Sequence, residues 1–389
     1  MECEYIIKDE AKLNNPINPI DKTMKVAKGT VKIELSNDKG LASGFFLQLK
    51  RNNKNFYCLM TNAHVVNEDM IKNKEKIKIK YDIEEKELNL ELNEEERIII
   101  NCSEGFAYDI SIIEIIPKDE IKDKTYFLEP NTADCDDFIE KEIQIIQFPE
   151  GKRLSLSEAK ITGKHKTSDY MFYHEASTKK GSSGSPIVLK NDDRVLGIHK
   201  GAIEGKEKNI GIFIGDIVES LKEYKKEGKG KDYYEDGKIK YEGNFEDDEY
   251  NDDKGKFYDE NGNKYEGKFT KGKKNGEFSV YDKDGKPIKK IKYENDKLIE
   301  ETIISNNSNN SNGDIIIKND TIRTFVGSLY EIYKPIGDKY LDMCFCDCGH
   351  NSEYHTQVKP GDYRYKCSKC PEDSDLCKLS IWNLILNSW

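Results

Sequence analysis

A succession of short apolar runs, rich in β-branched and aromatic residues, constrains the fold of the first 214 residues more than any other feature. Runs of this length and composition, separated by polar and turn residues, predict β-strands. They lie at residues 30–35, 41–49, 56–66, 77–81, 97–101, 109–115, 142–148, 185–189 and 195–199. A segment with helical periodicity, 216–226, then ends at Gly228. We therefore predict a mostly β domain closed by a carboxyl-terminal helix.

Three residues near the ends of these runs are suited to nucleophilic catalysis. His64 lies within the run 56–66, Asp109 opens another run, and Ser183 sits in a turn of small residues within the segment TKKGSSGSPIVLKNDDRVLGIHKG. A serine hydroxyl is barely nucleophilic at neutral pH, so an imidazole must accept its proton and a carboxylate must fix the imidazole tautomer. We predict that His64, Asp109 and Ser183 are the catalytic residues.

These motifs resemble the chymotrypsin-like (trypsin-fold) serine peptidases. The resemblance rests on TNAH at 61–64, YDI at 108–110 and GSSGSP at 181–186, in the order His, Asp, Ser, and it covers about residues 25 to 227. It implies a double β-barrel that hydrolyses peptide bonds and needs no catalytic cofactor. It also implies an oxyanion hole made by the backbone N–H groups of Gly181 and Ser183. Glycine can adopt the unusual backbone conformation that such a hole requires.

The flanking residues are similar to those of bacterial glutamyl endopeptidases. Ser177 and Thr178 precede the serine box, and His199 and Gly201 follow it. The resemblance implies that Thr178 and His199, with Ser177 and Gly201 beside them, line the primary specificity pocket. A hydroxyl and an imidazole can donate hydrogen bonds to a carboxylate, and nearby lysines would add positive potential. We expect cleavage after Glu, with Asp and Gln as open alternatives.

Two departures from the peptidase pattern support a second hypothesis. Ser182 stands where the family usually has Asp or Asn, so activation by a freed amino terminus is not expected. Lys179 and Lys180 occupy positions where small residues are common. The alternative function is therefore a catalytically silent protease-fold adaptor, which would bind proteins through its carboxyl-terminal modules.

Charge and cysteine usage restrict the class of protein. The chain of 389 residues carries 35% charged residues and a net charge of −11, with both signs intermixed, which argues against a nucleic-acid binder. Residues 1–10 have no basic start followed by an apolar stretch, so we expect no secretory signal and an intracellular, cytoplasmic protein. Six of the ten cysteines lie within 344–377, which is more typical of a metal site than of a disulfide framework.

A repeated pattern of Gly, Tyr and Lys begins at Gly228. The segment YEGNF at Tyr241 recurs as YEGKF at Tyr265, and Asp-Gly and Asn-Gly pairs between such segments predict successive β-hairpins. The segment resembles MORN repeats, which implies a scaffold that binds proteins or lies close to a membrane. A passive spacer remains the alternative.

The last segment contains the ligands for a predicted zinc site. Cys346, Cys348, Cys367, Cys370 and Cys377 are the predicted metal ligands, and the pattern resembles a degenerate ZZ-type zinc finger. A histidine at 350 or 355 is an alternative ligand. The resemblance implies a structural zinc ion and a protein partner, and a role in a ubiquitin or modifier pathway is a third, weaker hypothesis.

The sequence thus predicts five regions. They are an amino-terminal extension (1–25), a trypsin-like peptidase domain (26–227), MORN-like hairpins (228–302), an Asn/Ser-rich linker (303–319) and a Cys-rich zinc module (320–389). Protein or peptide substrates are the expected partners of the second region.

Overall fold

The apolar runs of the amino-terminal part form an antiparallel sheet of seven strands in the order β5-β4-β1-β2-β3-β7-β6. Their bounds are β1 Thr30–Leu35, β2 Gly40–Arg51, β3 Lys54–Thr61, β4 Lys76–Tyr81, β5 Lys86–Glu91, β6 Ile99–Cys102 and β7 Ile110–Glu114. Helices α1 (Ile20–Gly29) and α2 (Glu68–Lys72) accompany this sheet. Both faces are buried, because Phe45 and Leu47 of β2 enter one apolar cluster while Phe46 between them enters another.

The structure is a computed structural model, and it describes residues 20–35, 40–81, 86–102, 108–166, 168–203 and 207–304. It also describes three short strands at 315–318, 355–357 and 365–367. The described residues fall into two compact units. One contains those up to Ile288 together with Tyr293–Lys297, and the other contains Lys289–Lys292 and those from Leu298 onward.

The second sheet of the first unit is a closed six-stranded barrel in the order β10-β13-β12-β11-β8-β9. Its strands are β8 Glu142–Gln147, β9 Ser155–His165, β10 Ser168–His174, β11 Pro186–Leu189, β12 Val195–Ala202 and β13 Asn209–Phe213, and helix α3 Gly215–Leu221 follows. Three short 3₁₀ turns lie at Pro117–Asp119, Cys135–Phe138 and Pro149–Gly151.

The predicted double barrel is therefore present in part. The barrel that carries β11 is closed as expected, whereas the first sheet has seven strands and, within the described residues, ends at β5 and β6 without closing. The sheet stays open because its two edge strands pair with their own neighbours. Strand β5 pairs with β4 at one edge, and β6 pairs with β7 at the opposite edge.

The glycine-rich segment after α3 forms an antiparallel meander. Its strands are β14 Gly228–Tyr233, β15 Ile239–Glu246, β16 Glu249–Tyr250, β17 Asp252–Tyr258, β18 Lys264–Thr270, β19 Lys273–Tyr281 and β20 Pro287–Glu294. Gly237, Gly262 and Gly285 have positive φ in its turns, as Asp-Gly and Asn-Gly hairpins require. Neighbouring strands of this segment pair antiparallel, and the assignment to a repeat family stays a prediction.

The meander packs against the first sheet through two carboxylates. Glu96 accepts hydrogen bonds from Lys231 Nζ (2.7 Å) and the Tyr233 hydroxyl (2.9 Å). Asp248 accepts from the backbone N–H of Lys226 (2.8 Å) and is also paired with Arg51. Since these pairs are shielded from water more than ordinary surface pairs, they fix the meander to the peptidase part of the unit.

Further strand pairs lie in the described residues of the second unit. Strand β21 Lys297–Ile303 pairs with β22 Ile315–Lys318, so the predicted linker 303–319 contains a strand at its carboxyl end. Strand β23 His355–Gln357 pairs with β24 Tyr365–Cys367, which places the backbone of His355 opposite that of Cys367.

The remaining predicted zinc ligands lie outside the described residues, as does the stretch 305–313. These ligands are Cys346, Cys348, Cys370 and Cys377.

Among the helices that the structure describes, none is long and apolar enough to cross a membrane.

Candidate active site

A buried carboxylate holds an exposed imidazole where β3 ends and β7 begins. Asp109 directly precedes β7 and is fully buried, whereas the His64 side chain is 41% exposed. Asp109 Oδ1 accepts the backbone N–H of His64 (2.9 Å), and Oδ2 lies 2.6 Å from His64 Nδ1. The amide of Asn62 donates to the carbonyl of Asp109 (2.9 Å). Two predicted catalytic residues are thus held in one fixed geometry.

The charge of this pair follows from its surroundings. Burial alone would raise the pKa of the Asp109 carboxyl, but hydrogen bonds from His64 and the positive charge of Lys200 together hold that pKa below its ordinary value. Asp109 is therefore ionised at neutral pH. Because an ionised carboxylate only accepts hydrogen bonds, His64 Nδ1 must carry a proton, which leaves Nε2 of the neutral ring as an acceptor.

Ser183 lies in a tight turn that leads into β11. Its hydroxyl donates to the carbonyl of Lys200 (3.1 Å), and the Lys200 ammonium lies 3.8 Å from Asp109 Oδ2. Lys200 therefore contacts both Ser183 and the Asp109 carboxylate. Gly184, with φ of +89°, has no room for a side chain, because a Cβ would lie 1.9 Å from the carbonyl oxygen of Ser43.

Two backbone N–H groups in this turn are available to a substrate oxygen. Within the described part of the chain, neither the N–H of Gly181 nor that of Ser183 donates to another protein group. The Lys180 carbonyl accepts from the N–H of Glu150 (2.6 Å), so the planar peptide directs the Gly181 N–H away from Glu150. Gly181 has φ of +95°, a conformation that favours glycine.

Ser43 supports this turn, a role that was not predicted from the sequence. Ser43 is fully buried, its hydroxyl donates to the Gly181 carbonyl (2.8 Å), and the same oxygen accepts the N–H of Phe148 (3.1 Å). Its backbone N–H also donates to the Ser183 carbonyl (2.9 Å). The only signal in the sequence is a small polar residue inside an apolar strand, ASGFF, where a buried hydroxyl must find partners.

The predicted pocket residues lie on adjacent strands and loops of the barrel. Thr178 donates its hydroxyl to Asn209 Oδ1 (3.2 Å), and the amide of Asn209 donates to the Ala176 carbonyl (2.7 Å). Ser177 is exposed, and its carbonyl accepts from Gln147 (2.8 Å). Gly201 lies in β12, and a Cβ placed there would meet no atom within 4 Å.

His199 contacts a second buried histidine, which no motif in the sequence indicated. His199 Nδ1 lies 3.2 Å from Nε2 of His174, the last residue of β10, and both side chains are buried. Burial lowers the pKa of His174 to about 4, and burial together with the neighbouring histidines lowers the pKa of His199 to about 3. Both rings are therefore neutral at physiological pH.

The departures from the peptidase pattern have structural roles. Ser182 is buried, and its hydroxyl accepts the backbone N–H of Lys179 (3.1 Å), so it closes the turn before Ser183. The Lys179 and Lys180 side chains are exposed rather than directed into the core.

In the part of the chain that the structure describes, no group of three His, Cys, Asp or Glu side chains is placed to hold a metal ion.

Comparison with known proteins identifies the domain. Residues 42–198, which include His64, Asp109 and Ser183, match the trypsin-like peptidase domain. A comparison with curated proteins gives no match.

Parts of this chain are similar to solved structures of proteases, at low sequence identity. An inactive form of Rv3671c from M. tuberculosis H37Rv is 16% identical over 52% of this chain and 89% of that chain, with a TM-score of 0.36. Deg5 is 17% identical over 51% of this chain and 90% of that chain, with a TM-score of 0.38. The serine endoprotease from Yersinia pestis is 13% identical over 55% of this chain and 72% of that chain, also with a TM-score of 0.38.

Proposed function

Because residues 42–198 are a trypsin-like peptidase domain and the chain is a serine endopeptidase, we propose that Ser183, His64 and Asp109 cleave peptide bonds through an acyl-enzyme. The observation that carries this proposal is the 2.6 Å contact between His64 Nδ1 and the buried, ionised Asp109. This contact fixes the tautomer in which His64 Nε2 can accept a proton.

The reaction proceeds in two halves. Ser183 Oγ attacks the carbonyl carbon of the scissile bond while His64 Nε2 takes the hydroxyl proton, and the oxyanion accepts hydrogen bonds from the Gly181 and Ser183 N–H groups. The tetrahedral intermediate then expels the amine, which receives the proton from His64, and an ester on Ser183 remains. Water attacks this ester with His64 again as base, and the carboxylic acid leaves as Ser183 regains its proton.

One rearrangement precedes the first half. The Ser183 hydroxyl donates to the Lys200 carbonyl, so it must turn towards His64 before it can be deprotonated. We propose that a rotation about χ1 between staggered rotamers supplies this change.

We propose that the enzyme cleaves after Glu, and hydrogen bonds behind the pocket support a donor role for His199. The backbone N–H of Ala176 donates to Nδ1 of His174 (3.3 Å), so the neutral His174 ring carries its proton on Nε2. That proton is donated to Nδ1 of His199, which leaves Nε2 of His199 protonated and able to donate to an acidic or amide side chain. Because this donor is neutral, Gln and Asp remain the alternatives to Glu.

A peptide panel that varies only the residue before the scissile bond tests this specificity. We expect the highest kcat/KM for Glu or its amide Gln, and at least about tenfold lower values for Lys and Phe, which cannot use a buried N–H donor. The Ser183→Ala chain is the control for contaminating peptidases. A preference for basic or large apolar residues would refute the proposed pocket.

The second candidate function is a silent adaptor, and one observation favours it. The Ser183 hydroxyl is already engaged by the Lys200 carbonyl, an arrangement that would persist if no substrate displaced it. Equal, background-level hydrolysis by the native and Ser183→Ala chains across the whole panel would support the adaptor and refute the peptidase mechanism.

We further propose that the carboxyl-terminal regions direct the peptidase to its targets. The 24-residue spacing of Tyr241 and Tyr265 and the hairpin meander support a MORN-like scaffold over 228–302 for a protein or a membrane-proximal partner. The cysteine pattern supports a structural zinc ion and a protein partner for 320–389. We place the protein in the cytoplasm and expect no nucleic-acid partner.

A further inference from the structure

A cleft of about 580 Å³ adjoins the turn that carries Ser183. Four of its lining residues are basic, namely Lys32, Lys152, Arg153 and Lys179, and one, Glu150, is acidic. This composition contrasts with the net charge of −11 of the whole chain. A concave site with several cations in an otherwise acidic protein concentrates anionic groups from solution.

The cleft and the candidate oxyanion hole share one wall. Lys179 lines the cleft and belongs to the same run as Gly181 and Ser183. Glu150 and Gly151, which also line the cleft, lie against that run: the N–H of Glu150 holds the Lys180 carbonyl at 2.6 Å, and a Cβ on Gly181 would lie 3.0 Å from the backbone nitrogen of Gly151. The cleft and the candidate oxyanion hole therefore lie on opposite sides of the Lys180–Gly181 peptide, and the part of a polypeptide that extends past this peptide from Ser183 meets these cations.

The single acid of the cleft does not neutralise its bases. Glu150 is shared by the ammonium groups of Lys152 (2.8 Å) and Lys179 (3.6 Å). In the described part of the chain, no carboxylate lies within 4.0 Å of the Arg153 guanidinium. The Lys32 ammonium, whose side chain is only 9% exposed, lies 3.8 Å from Glu34. The balance of charge facing the cleft stays positive.

We propose that this cleft binds an acidic side chain of the polypeptide substrate, separate from the residue that occupies the pocket at His199. The proposal rests on the peptidase function, since it is continuity with the Ser183 turn that makes a substrate the expected occupant. The guanidinium of Arg153 suits a carboxylate, because its planar donors match the two oxygens. The enzyme would then bind two acidic side chains of one substrate, one in the cleft and one at His199.

Binding of fluorescent peptides to the Ser183→Ala chain tests the proposal without requiring turnover. Each peptide keeps one Glu as the residue before the scissile bond, and a second Glu or Gln is scanned through the positions on both sides of it. We expect Glu to bind about 5- to 20-fold more tightly than Gln at one position, an advantage that weakens as salt is raised. Hydrolysis by the native chain should show the same preference in KM rather than in kcat.

Reversing the charge of two residues that line the cleft tests whether the cleft causes this preference for Glu over Gln. The double change Lys152→Glu with Arg153→Glu should abolish or invert the preference for Glu at that position. The double change Lys283→Glu with Lys286→Glu alters net charge equally at exposed sites of the meander and should preserve the preference.

Three results would overturn the proposal: no position at which Glu exceeds Gln, a preference that survives reversal at 152 and 153, or an equal loss in the meander control. Loss of the preference for Glu before the scissile bond would instead refute the proposed pocket. The two failures are distinguishable because the two positions are varied independently.

Discussion

Ser43→Ala should slow catalysis although residue 43 touches no substrate. The hydroxyl of Ser43 joins the Gly181 carbonyl to the Phe148 N–H, with distances of 2.8 and 3.1 Å, and is fully buried. Alanine fits the same space but leaves both backbone groups without a partner. The Gly181–Ser182 peptide, which contains this carbonyl, then loses a contact that fixes the backbone next to the Gly181 N–H of the candidate oxyanion hole.

The magnitude follows from the two hydrogen bonds. A buried polar group left without a partner costs about 1–3 kcal/mol, so the two together should lower the free energy of unfolding by about 2–6 kcal/mol. Loss of one oxyanion donor costs about 10²- to 10³-fold in kcat. Since Ser43 acts only by positioning such a donor, we expect a decrease in kcat of about 10- to 100-fold, with KM changed less than threefold.

Urea unfolding and steady-state hydrolysis, corrected by active-site titration, measure the two effects separately. Thr30→Val is the matched control, because Thr30 is buried and its hydroxyl donates to a backbone carbonyl, that of Val26 (2.8 Å), away from Gly181. It should lose about 1–2 kcal/mol of stability and retain its kcat. Unchanged kcat in Ser43→Ala, or an equal fall in Thr30→Val, would refute the positioning role.

Three further predictions concern charge, pH and metal. Lys200→Met removes the ammonium 3.8 Å from Asp109 and should move the acidic limb of the kcat/KM profile upward by about 0.5–1 pH unit, whereas Lys200→Arg should not. His174 and His199 have folded-state pKa values of about 4 and about 3, so they stabilise the fold above pH of about 6.5 and less as pH falls. Between pH 7 and pH 5, urea unfolding should show a loss of about 3 kcal/mol, roughly halved in His174→Gln, and an unchanged slope would contradict the buried pair. The full chain purified under reducing conditions should contain about one zinc ion per molecule, and its removal by a chelator should leave peptide hydrolysis unchanged. Absence of zinc would refute the metal site in 320–389.

The sequence predicted those strands in which apolar and polar residues alternate clearly. The runs at 30–35 and 77–81 coincide with β1 and β4, because Val31 and Ile33 of one strand and Ile77 and Ile79 of the other face the same buried cluster. Strand β9, with the sequence SLSEAKITGKH, was not predicted, since its side chains are mostly half-buried or exposed and its polar residues mask the alternation. Strands β5, β10 and β13 were missed as well.

The residues of the candidate site likewise fall into two groups, those that local motifs indicated and those that they did not. The proposed catalytic residues could be named from the sequence because few side chains can act as nucleophile, base or orienting acid, and because the motifs around them are local. Ser43 and His174 were not found, because their roles depend on contacts between segments that lie far apart in the chain. The distance in sequence from Ser43 to Gly181 is 138 residues, and no local pattern records such a pairing.

The position of the predicted linker shows a further limit. The polar stretch 305–313 predicted a linker over 303–319, yet strand β22 at Ile315–Lys318 pairs with β21. The isoleucines at 315–317 form a short β-branched run that favours this strand. Composition averaged over the segment obscured it.

Covalent labelling identifies the nucleophile without assuming a substrate. The native chain, Ser183→Ala and His64→Ala are each treated with a fluorophosphonate, and the adduct is located by mass spectrometry of the proteolytic fragments. We expect one adduct on Ser183 in the native chain and none in Ser183→Ala. Labelling should be at least about a hundredfold slower in His64→Ala. An unlabelled native chain, or an adduct on any other residue, would contradict the peptidase mechanism.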